Sequence, residues 1–286
     1  MRRILATLAI AASALVVGVT PALAITKNFV PDLDHPFVGL VAFYDEAGEF
    51  SHRCSGSLLT DRVFLTAGHC TDGVASARVW FQQDAGAEFN GTIDPTTGYP
   101  DTCAPDPANC RTSDELYNYG FDNFAGFPNH RDVGLVILDA PFDPGEFASL
   151  AGDGTLTDLA TARGTKDVTF TVSGYGVTYR DPVHFVSFRS RLMAKSTLVN
   201  LLSALNDGYN LQTNGNGDVR GGTCGGDSGG PVFYSASSNR IVAVTSFGLN
   251  AWCRGTDFAY RTDRDAVIDW ILGTVPASEA DDIVID

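Results

Sequence analysis

Short apolar runs recur along the chain, and each is bounded by Gly, Pro, Asn or Asp. Runs of this length that are rich in Val, Ile, Phe, Thr and Tyr are typical of β-strands, because β-branched and aromatic side chains pack well on a pleated sheet. The pattern predicts strands at residues 37–44, 63–66, 77–81, 133–138, 168–173, 191–198, 231–234, 241–246 and 257–261. Many short strands with few helical patterns predict an antiparallel sandwich or barrel.

One helix is predicted at residues 263–275. Thr262 or Asp263 can cap it, an apolar stripe at helical spacing follows, and Gly273 and Pro276 end it. The acidic tail at residues 277–286 is expected to be solvated and frayed.

Three stretches carry no strand pattern. Residues 84–131 are rich in Pro and Gly and predict a surface excursion, which a local disulfide could staple and which either shapes substrate access or decorates the surface. Residues 206–222 contain repeated Asn-Gly turn signals and predict a mobile loop. Residues 142–164 are rich in Gly, Asp and Thr and predict a crossover between two halves.

Residues 1–24 have the pattern of a signal peptide. Arg2 and Arg3 precede an apolar run, and the small residues Ala22 and Ala24 fit a cleavage site. The run is short for a transmembrane anchor, and no second run of membrane length follows. We therefore expect a secreted, extracellular protein of residues 25–286, with no membrane partner after the signal is removed.

The charge balance is acidic. The 19 Lys and Arg residues include Arg2 and Arg3, so 17 remain after the leader against 34 acidic residues. Such a balance disfavours nucleic acid or an anionic membrane as a partner.

All six cysteines lie after the leader, and an even count in a secreted chain predicts three disulfides. Six cysteines allow 15 pairings, among which the count alone does not choose. His69 and Cys70 are the only adjacent Cys/His pair, so we predict no metal site, and no cofactor motif is present.

The segment GGTCGGDSGGP at residues 221–231 presents one hydroxyl, Ser228, among glycines. Such backbone can bring N–H groups close to a substrate beside a nucleophile, which acyl transfer requires. A Gly-rich linker is the alternative, but linkers do not usually contain Cys and Asp or continue into an apolar strand.

Two further residues complete a set. His69 follows an apolar strand in the segment TAGHC, and Asp132 stands at the head of the strand in RDVGLVIL. Taken alone, His69 fits an ordinary loop residue as well as a catalytic one. Asp132 alone fits a strand-start cap or a surface group better than a catalytic acid. Serine needs a base near neutrality, however, and that base needs a third group to fix its tautomer. The order His, Asp, Ser is that of the chymotrypsin-like group.

These segments, together with CSGSLL at 54–59, SGYG at 173–176 and SFG at 246–248, resemble a trypsin/chymotrypsin-like serine endopeptidase of the secreted bacterial type. The resemblance implies an all-β fold of two six-stranded antiparallel barrels, at about residues 25–150 and 151–262, with a C-terminal helix. It also implies disulfides between Cys54 and Cys70 and between Cys224 and Cys253, which leaves Cys103 to pair with Cys110.

The resemblance further implies a mechanism. His69 would take the proton of Ser228 during attack on a peptide carbonyl, Asp132 would orient His69, and the N–H groups of Gly226 and Ser228 would form the oxyanion hole. We expect protein or peptide substrates and a monomer.

Substrate binding is expected at a pocket and an edge strand. Ser246, Phe247 and Gly248 resemble the edge along which the family pairs extended substrates. The resemblance places Gly222 at the pocket base, next to Thr223, where trypsins carry Asp. Asp257 is a candidate carboxylate for a basic substrate residue, and a preference for apolar or small residues is the competing interpretation.

Family members are activated when a new N-terminal ammonium pairs with the Asp before the serine. Signal cleavage here would expose Ile25, and Asp227 is the matching acid. The following residues Thr26, Lys27 and Asn28 depart from the usual Ile-Val-Gly-Gly. Two rival functions remain at this point: a binding module that keeps the fold without activity, and an esterase using the same residues.

Overall fold

The computed structural model of the chain describes residues 25–160, 168–216, 219–235 and 238–286. The predicted signal peptide at 1–24 and the end of the predicted crossover lie outside the described residues.

The described part is mostly β-structure. In chain order its strands are β1 (Val30–Pro31), β2 (Val38–Tyr44), β3 (Phe50–Leu58), β4 (Val63–Thr66), β5 (Ser76–Trp80), β6 (Cys110–Ser113), β7 (Glu115–Asn118), β8 (Gly134–Ile137), β9 (Ser149–Leu150), β10 (Thr169–Gly174), β11 (Tyr179–Arg180), β12 (Phe185–Val186), β13 (Leu192–Asn200), β14 (Asn210–Asn214), β15 (Pro231–Phe233), β16 (Arg240–Gly248) and β17 (Thr256–Arg261). The helices are α1 (Gly68–Thr71), α2 (Ala85–Glu88), α3 (Asp265–Thr274) and α4 (Ala277–Ala280), with a 3-10 turn at Thr157–Ala160. None of these helices is long and apolar enough to span a membrane.

The first sheet runs in the order β6-β5-β2-β3-β4-β8-β7. Only Asp114 separates β6 from β7, and β6 pairs with β5 while β7 pairs with β8. The two segments therefore act as halves of one interrupted strand, and the sheet is a nearly closed barrel of six strands.

The second sheet closes fully. It runs in the order β13-β10-β15-β16-β17-β14, and β14 pairs back with β13. The short strands β1 and β9 are added at β13 and β16. The predicted architecture of two six-stranded antiparallel barrels is confirmed.

Each barrel has its own apolar core. Phe43, Phe64 and Trp80 are buried in the first, and Phe170 and Val242 are buried in the second. Helix α3 places Val267 and Ile271 against the first core, so the C-terminus returns across the molecule.

The nine predicted strands are all present, with ends within two residues of the prediction. Strand β3 was not predicted, because its sequence FSHRCSGSL is polar. It becomes a strand because β2 and β4 satisfy its backbone from both sides.

The predicted mobile loop at 206–222 is wrong over part of its length. Strand β14, with the sequence NLQTN, lies within it and pairs with both β13 and β17. Two complete backbone ladders outweigh the low strand propensity of Asn.

The helix starts later than predicted. Asp263 does not cap it, because its carboxylate accepts bonds from Arg261 and from the Leu156 N–H, both at 2.7 Å. Asp153 caps it instead, since its Oδ1 accepts the Asp265 N–H at 2.9 Å.

The N-terminal boundary and the tail also differ from the predictions. Strand β1 lies in the predicted first barrel, yet it pairs with the second sheet. The tail at 277–286 is not frayed: it forms α4, Ile283 is buried, and the Asp286 N–H bonds to the Leu150 carbonyl at 2.9 Å.

Candidate active site

His69 is held by a single helical turn directly after strand β4. The Cys54–Cys70 disulfide ties this turn to β3, with 6.4 Å between the two Cα atoms. A side chain at Gly68 would approach within 3.1 Å of the Arg131 carbonyl oxygen, so the turn packs closely on the segment that carries Asp132. The His69 side chain remains 26% exposed.

Asp132 lies two residues before strand β8, which pairs with β4 in the register Thr66 to Gly134. This register brings the ends of both strands together. The Asp132 carboxylate is 2.9 and 3.1 Å from Nδ1 of His69 and accepts the His69 backbone N–H at 2.7 Å. The Ser246 hydroxyl also donates to it, at 2.5 Å.

The Asp132 carboxylate is fully buried. Burial by itself would raise its pKa, but the neighbouring His69 and the hydrogen bonds from His69 and Ser246 outweigh this, so the pKa of Asp132 lies below its usual value. The group is therefore an anion that holds the His69 ring in one orientation, with Nδ1–H donating to it and Nε2 available.

Ser228 lies in a tight turn that requires glycine. Gly226 and Gly229 have φ angles of 98° and 76°, a region that strongly favours glycine. A side chain at Gly229 would meet Thr66 at 2.1 Å. The turn therefore needs glycine for its backbone conformation and for its approach to the first barrel.

The backbone N–H groups of this turn differ in whether they donate a hydrogen bond. The Asp227 N–H bonds to the Cys224 carbonyl, and the Gly229 and Gly230 N–H groups are also bonded. Within the described part of the chain, the N–H groups of Gly226 and Ser228 donate no hydrogen bond. These two donors are the ones predicted for an oxyanion hole.

Asp227 points away from the cleft into the interior. Its carboxylate accepts N–H bonds from Gly176 at 2.7 Å and from Cys224 at 2.9 Å. Burial raises the pKa of Asp227 to about 7 despite these two bonds. The SGYG segment is glycine-rich here because a side chain at Gly176 would lie 2.4 Å from this carboxyl group.

One cavity of about 160 Å³ opens beside Ser228. It brings together five of the residues predicted to bind substrate, and these are Thr223, Ser246, Phe247, Gly248 and Asp257. The sixth, Gly222, does not line the cavity but lies behind Asp257: a side chain there would come within 2.6 Å of Oδ2 of Asp257. Asp257 thus occupies the space that a longer residue at 222 would need.

Asp257 is 7% exposed and accepts the Thr223 N–H at 2.9 Å. Burial raises the pKa of Asp257 to about 7. Arg180 and Arg254 line the same cavity. Sequence reasoning missed both arginines, because no motif marks them.

Two predicted pairs are not joined. Among the described residues no hydrogen bond links the Ser228 hydroxyl to His69, whose Nε2 lies 3.6 Å from Sγ of Cys70. Catalytic hydrogen bonds are often long without substrate. Ile25 is buried in the second core, and Thr26 pairs with Gly222, so Ile25 is not bonded to Asp227.

The three predicted disulfides are all present, and their Cα–Cα distances are 6.4 Å for Cys54–Cys70, 5.2 Å for Cys103–Cys110 and 5.1 Å for Cys224–Cys253. Cys54, His69 and Cys70 are close enough together to suggest a metal site. The two sulfurs are bonded to each other, however, so neither is a thiolate ligand.

Comparison with known proteins agrees with this geometry. The sequence profile of the family described as Trypsin matches residues 28–271. The chain is 26% identical over 259 residues to CLIP domain-containing serine protease B10 of Anopheles gambiae, covering 85% of this chain and 67% of that protein. It is also 26% identical over 229 residues to a chymotrypsin of Phaedon cochleariae, covering 79% and 73% of the two chains. The chain therefore belongs to the trypsin/chymotrypsin-like serine protease family.

Solved structures show the same fold. HL collagenase is similar with a TM-score of 0.57 and 18% identity, covering 83% of this chain and 92% of that one. An inactivated protease paralogue of the scabies mite, S-D1, is similar with a TM-score of 0.58 and 16% identity, covering 89% and 99%. At these identities the likeness concerns the fold alone.

Proposed function

We propose that the chain is a secreted serine endopeptidase that hydrolyses peptide bonds through an acyl-enzyme. His69 takes the proton of the Ser228 hydroxyl as its oxygen attacks the peptide carbonyl, and later gives that proton to the leaving amine. Water then attacks the ester, and His69 acts as the base a second time. These roles follow a well-characterised triad mechanism.

The observation that supports this most strongly is the environment of Asp132. A buried anion with three donors, two of them from His69, serves no packing purpose, and it lies beside a turn with two unused N–H groups. Removing one oxyanion donor costs about 2.7 to 4 kcal/mol in a comparable site, so the shape of the turn matters as much as its serine.

Ser228→Ala tests this function. The protein is produced in an oxidising compartment, so that the disulfides form, and is incubated with a mixed peptide library and with small esters. We expect the wild type to cleave peptides and Ser228→Ala to lose at least about 10⁴-fold in kcat/KM. Ser51→Ala, which changes an exposed serine on β3, is the matched control and should match the wild type.

The other outcomes decide between the rivals. Cleavage of esters without peptides supports the esterase. No cleavage by the wild type contradicts the proposed function and supports a binding module.

Asp257 is the group in the cavity that would favour a basic residue before the cleaved bond, whereas Arg180 and Arg254, which line the same cavity, would oppose one. Asp257 is the only carboxylate among the described residues that line it, and an ionised carboxylate favours Lys or Arg. The cleavage products of the same library report this residue. Cleavage after apolar or small residues alone would contradict a role for Asp257.

We propose that the chain is secreted and that removal of the signal peptide activates it. The three disulfides fit an oxidising compartment. Ile25 has a φ angle of 58°, which is uncommon for a β-branched residue, so the backbone of Ile25 is strained. Cleavage after Ala24 would free Ile25 to bring its ammonium to Asp227, a buried carboxylate that accepts N–H bonds from Gly176 and Cys224.

The activation step is tested on chains with defined N-termini. We expect a chain beginning at Ile25 to be active and a chain extended by one residue to lose at least tenfold in kcat/KM. Chemical N-terminal sequencing of the secreted protein gives the natural start. Full activity with an acetylated Ile25 would reject the latch while leaving the proposed protease function intact.

A further inference from the structure

Ser55 holds both residues that supply the proposed oxyanion hole. It lies on β3 and is fully buried between the barrels. Its backbone N–H donates to the Ser228 carbonyl at 2.8 Å, and its hydroxyl donates to the Gly226 carbonyl at 2.8 Å. One first-barrel residue thus contacts the backbone on both sides of Asp227.

The direction of these bonds is determined. The Tyr175 N–H donates to the Ser55 hydroxyl oxygen at 2.9 Å, so that oxygen is the acceptor there. A carbonyl can only accept, so the single hydroxyl hydrogen goes to Gly226. The hydroxyl therefore joins the SGYG segment to the Ser228 turn.

Ser55 is itself held in place. The Thr66 hydroxyl donates to the Ser55 carbonyl at 2.8 Å, and Cys54 beside it is bonded to Cys70. The anchor of the turn is therefore part of the structure that carries His69.

Gly226 has special need of such an anchor. Glycine at a φ of 98° has no side chain to restrict rotation of its adjoining peptides. A rotation there would turn the Gly226 N–H away from the N–H of Ser228. The Gly226 carbonyl belongs to the peptide between Gly226 and Asp227, which lies between the two peptides that carry the Gly226 and Ser228 N–H groups, so the bond from Ser55 fixes the link between the two donors. The peptide that carries the Gly226 N–H is held separately, because the Val177 N–H donates to the Gly225 carbonyl at 2.9 Å.

We propose, on the basis of the proposed protease function, that Ser55 is a positioning residue that fixes the peptide between Gly226 and Asp227, so that the Gly226 and Ser228 N–H groups converge on one oxyanion. Ser55 does not touch the substrate. It acts on the transition state through Gly226, so its loss lowers kcat more than it raises KM.

Ser57 provides a matched control on the same strand. It is two residues away, faces the same side of β3 and is 1% exposed. Its hydroxyl has no hydrogen-bond partner among the residues that the structure describes. Ser57→Ala therefore removes a buried hydroxyl of the same size without touching the turn.

The experiment measures kcat and KM of Ser55→Ala, Ser55→Thr and Ser57→Ala on a peptide anilide, with a peptide aldehyde as the transition-state analogue. We expect Ser55→Ala to lose about tenfold to 100-fold in kcat, below the 10²- to 10³-fold loss of a whole donor, with KM within twofold. The inhibition constant of the aldehyde should rise in proportion. Ser55→Thr keeps the hydroxyl and should recover most of kcat, and Ser57→Ala should match the wild type.

Rates are expressed per titrated active site, so a reduced folded fraction does not imitate the effect. A kcat of Ser55→Ala within twofold of the wild type, or equal losses in Ser55→Ala and Ser57→Ala, would overturn the role of Ser55 while the protease function stands. An inactive wild type would overturn both.

Discussion

The residue with the least expected environment is Asp257. Its side chain lines the cavity and is 7% exposed, and the hydrogen bonds from Thr223 do not offset the cost of burying its charge. Asp132 is buried as deeply, yet its pKa is lowered because His69 and Ser246 surround it. Two buried carboxylates in one cleft thus have opposite shifts, and their neighbours decide the sign.

Asp257 should make stability depend on pH. The pKa of Asp257 is raised from 3.8 to about 7, so between these values the unfolded chain loses a proton that the folded protein keeps. Its contribution to the free energy of unfolding is present below pH 3.8 and is lost as the pH rises through 7. Asp257→Asn should therefore gain at most about 4 kcal/mol on the wild type between pH 4 and pH 8.

Urea unfolding of both proteins at pH 4, 5.5, 7 and 8 measures this difference. Asp45→Asn, an exposed carboxylate on the first barrel, is the control and should show no such trend. A constant difference between Asp257→Asn and the wild type across this range would show that Asp257 is already ionised at pH 4.

Asp257→Asn should also lose any preference for Lys or Arg substrates above pH 7.

Among the elements, the excursion at 84–131 is more than surface decoration. Tyr99 within it is 2% exposed, stacks on Phe50 at 5.3 Å and on Trp80 at 5.8 Å, and lies under the Arg189 guanidinium at 4.3 Å. The segment buries an aromatic cluster against both barrels. The prediction of a surface excursion is therefore wrong around Tyr99, because spacing along the chain does not show what Tyr99 packs against.

The Cys103–Cys110 disulfide should accordingly be a modest stabiliser. Replacing both cysteines with Ser should lower the free energy of unfolding by about 2 kcal/mol, because the loop that it closes is short. The aromatic cluster remains, so kcat/KM should stay within twofold.

The double variant of Cys224→Ser and Cys253→Ser is the contrasting pair. Both residues line the cavity, and kcat/KM should fall at least tenfold. Equal kinetic losses in the two pairs would assign the excursion a direct role in catalysis.

For the whole molecule, the joint between the barrels is polar and buried. The Arg191 guanidinium is 4% exposed and donates to the carbonyls of Asp32, Val38 and Phe81 at 3.0 to 3.2 Å. It also donates to the Tyr175 hydroxyl at 3.2 Å. The carbonyl oxygens of Val38 and Phe81 in the first barrel and the Tyr175 hydroxyl, directly after β10 of the second barrel, thus share one cation. The cleft keeps its geometry because such a charge cannot lose its partners cheaply.

The segments of the proposed active site lie on opposite sides of this joint. His69 and Asp132 come from β4 and β8, and the Ser228 turn precedes β15 of the second barrel. The bonds from Ser55 to Gly226 and Ser228 cross between them. The orientation of the two barrels is therefore part of the site.

Much of this protein follows from the sequence by itself. The β-rich runs predict the strands because a half-buried sheet selects Val, Ile, Phe and Tyr, and their nine positions agree with the structure. His69, Asp132 and Ser228 are predicted as catalytic residues because proton transfer and nucleophilic attack need those residue types. The GDSGGP turn is recognisable since few residues other than glycine tolerate its backbone.

Only the tertiary structure decided the rest. Strands β3 and β14 are polar, and they form because neighbouring strands satisfy their backbones. The raised pKa of Asp257 results from burial by segments that are distant in the chain, and the hydrogen bond from Ser55 to Gly226 likewise joins two distant segments. Local sequence records what a residue can do, whereas burial and hydrogen-bond partners depend on segments that meet only when both barrels have closed.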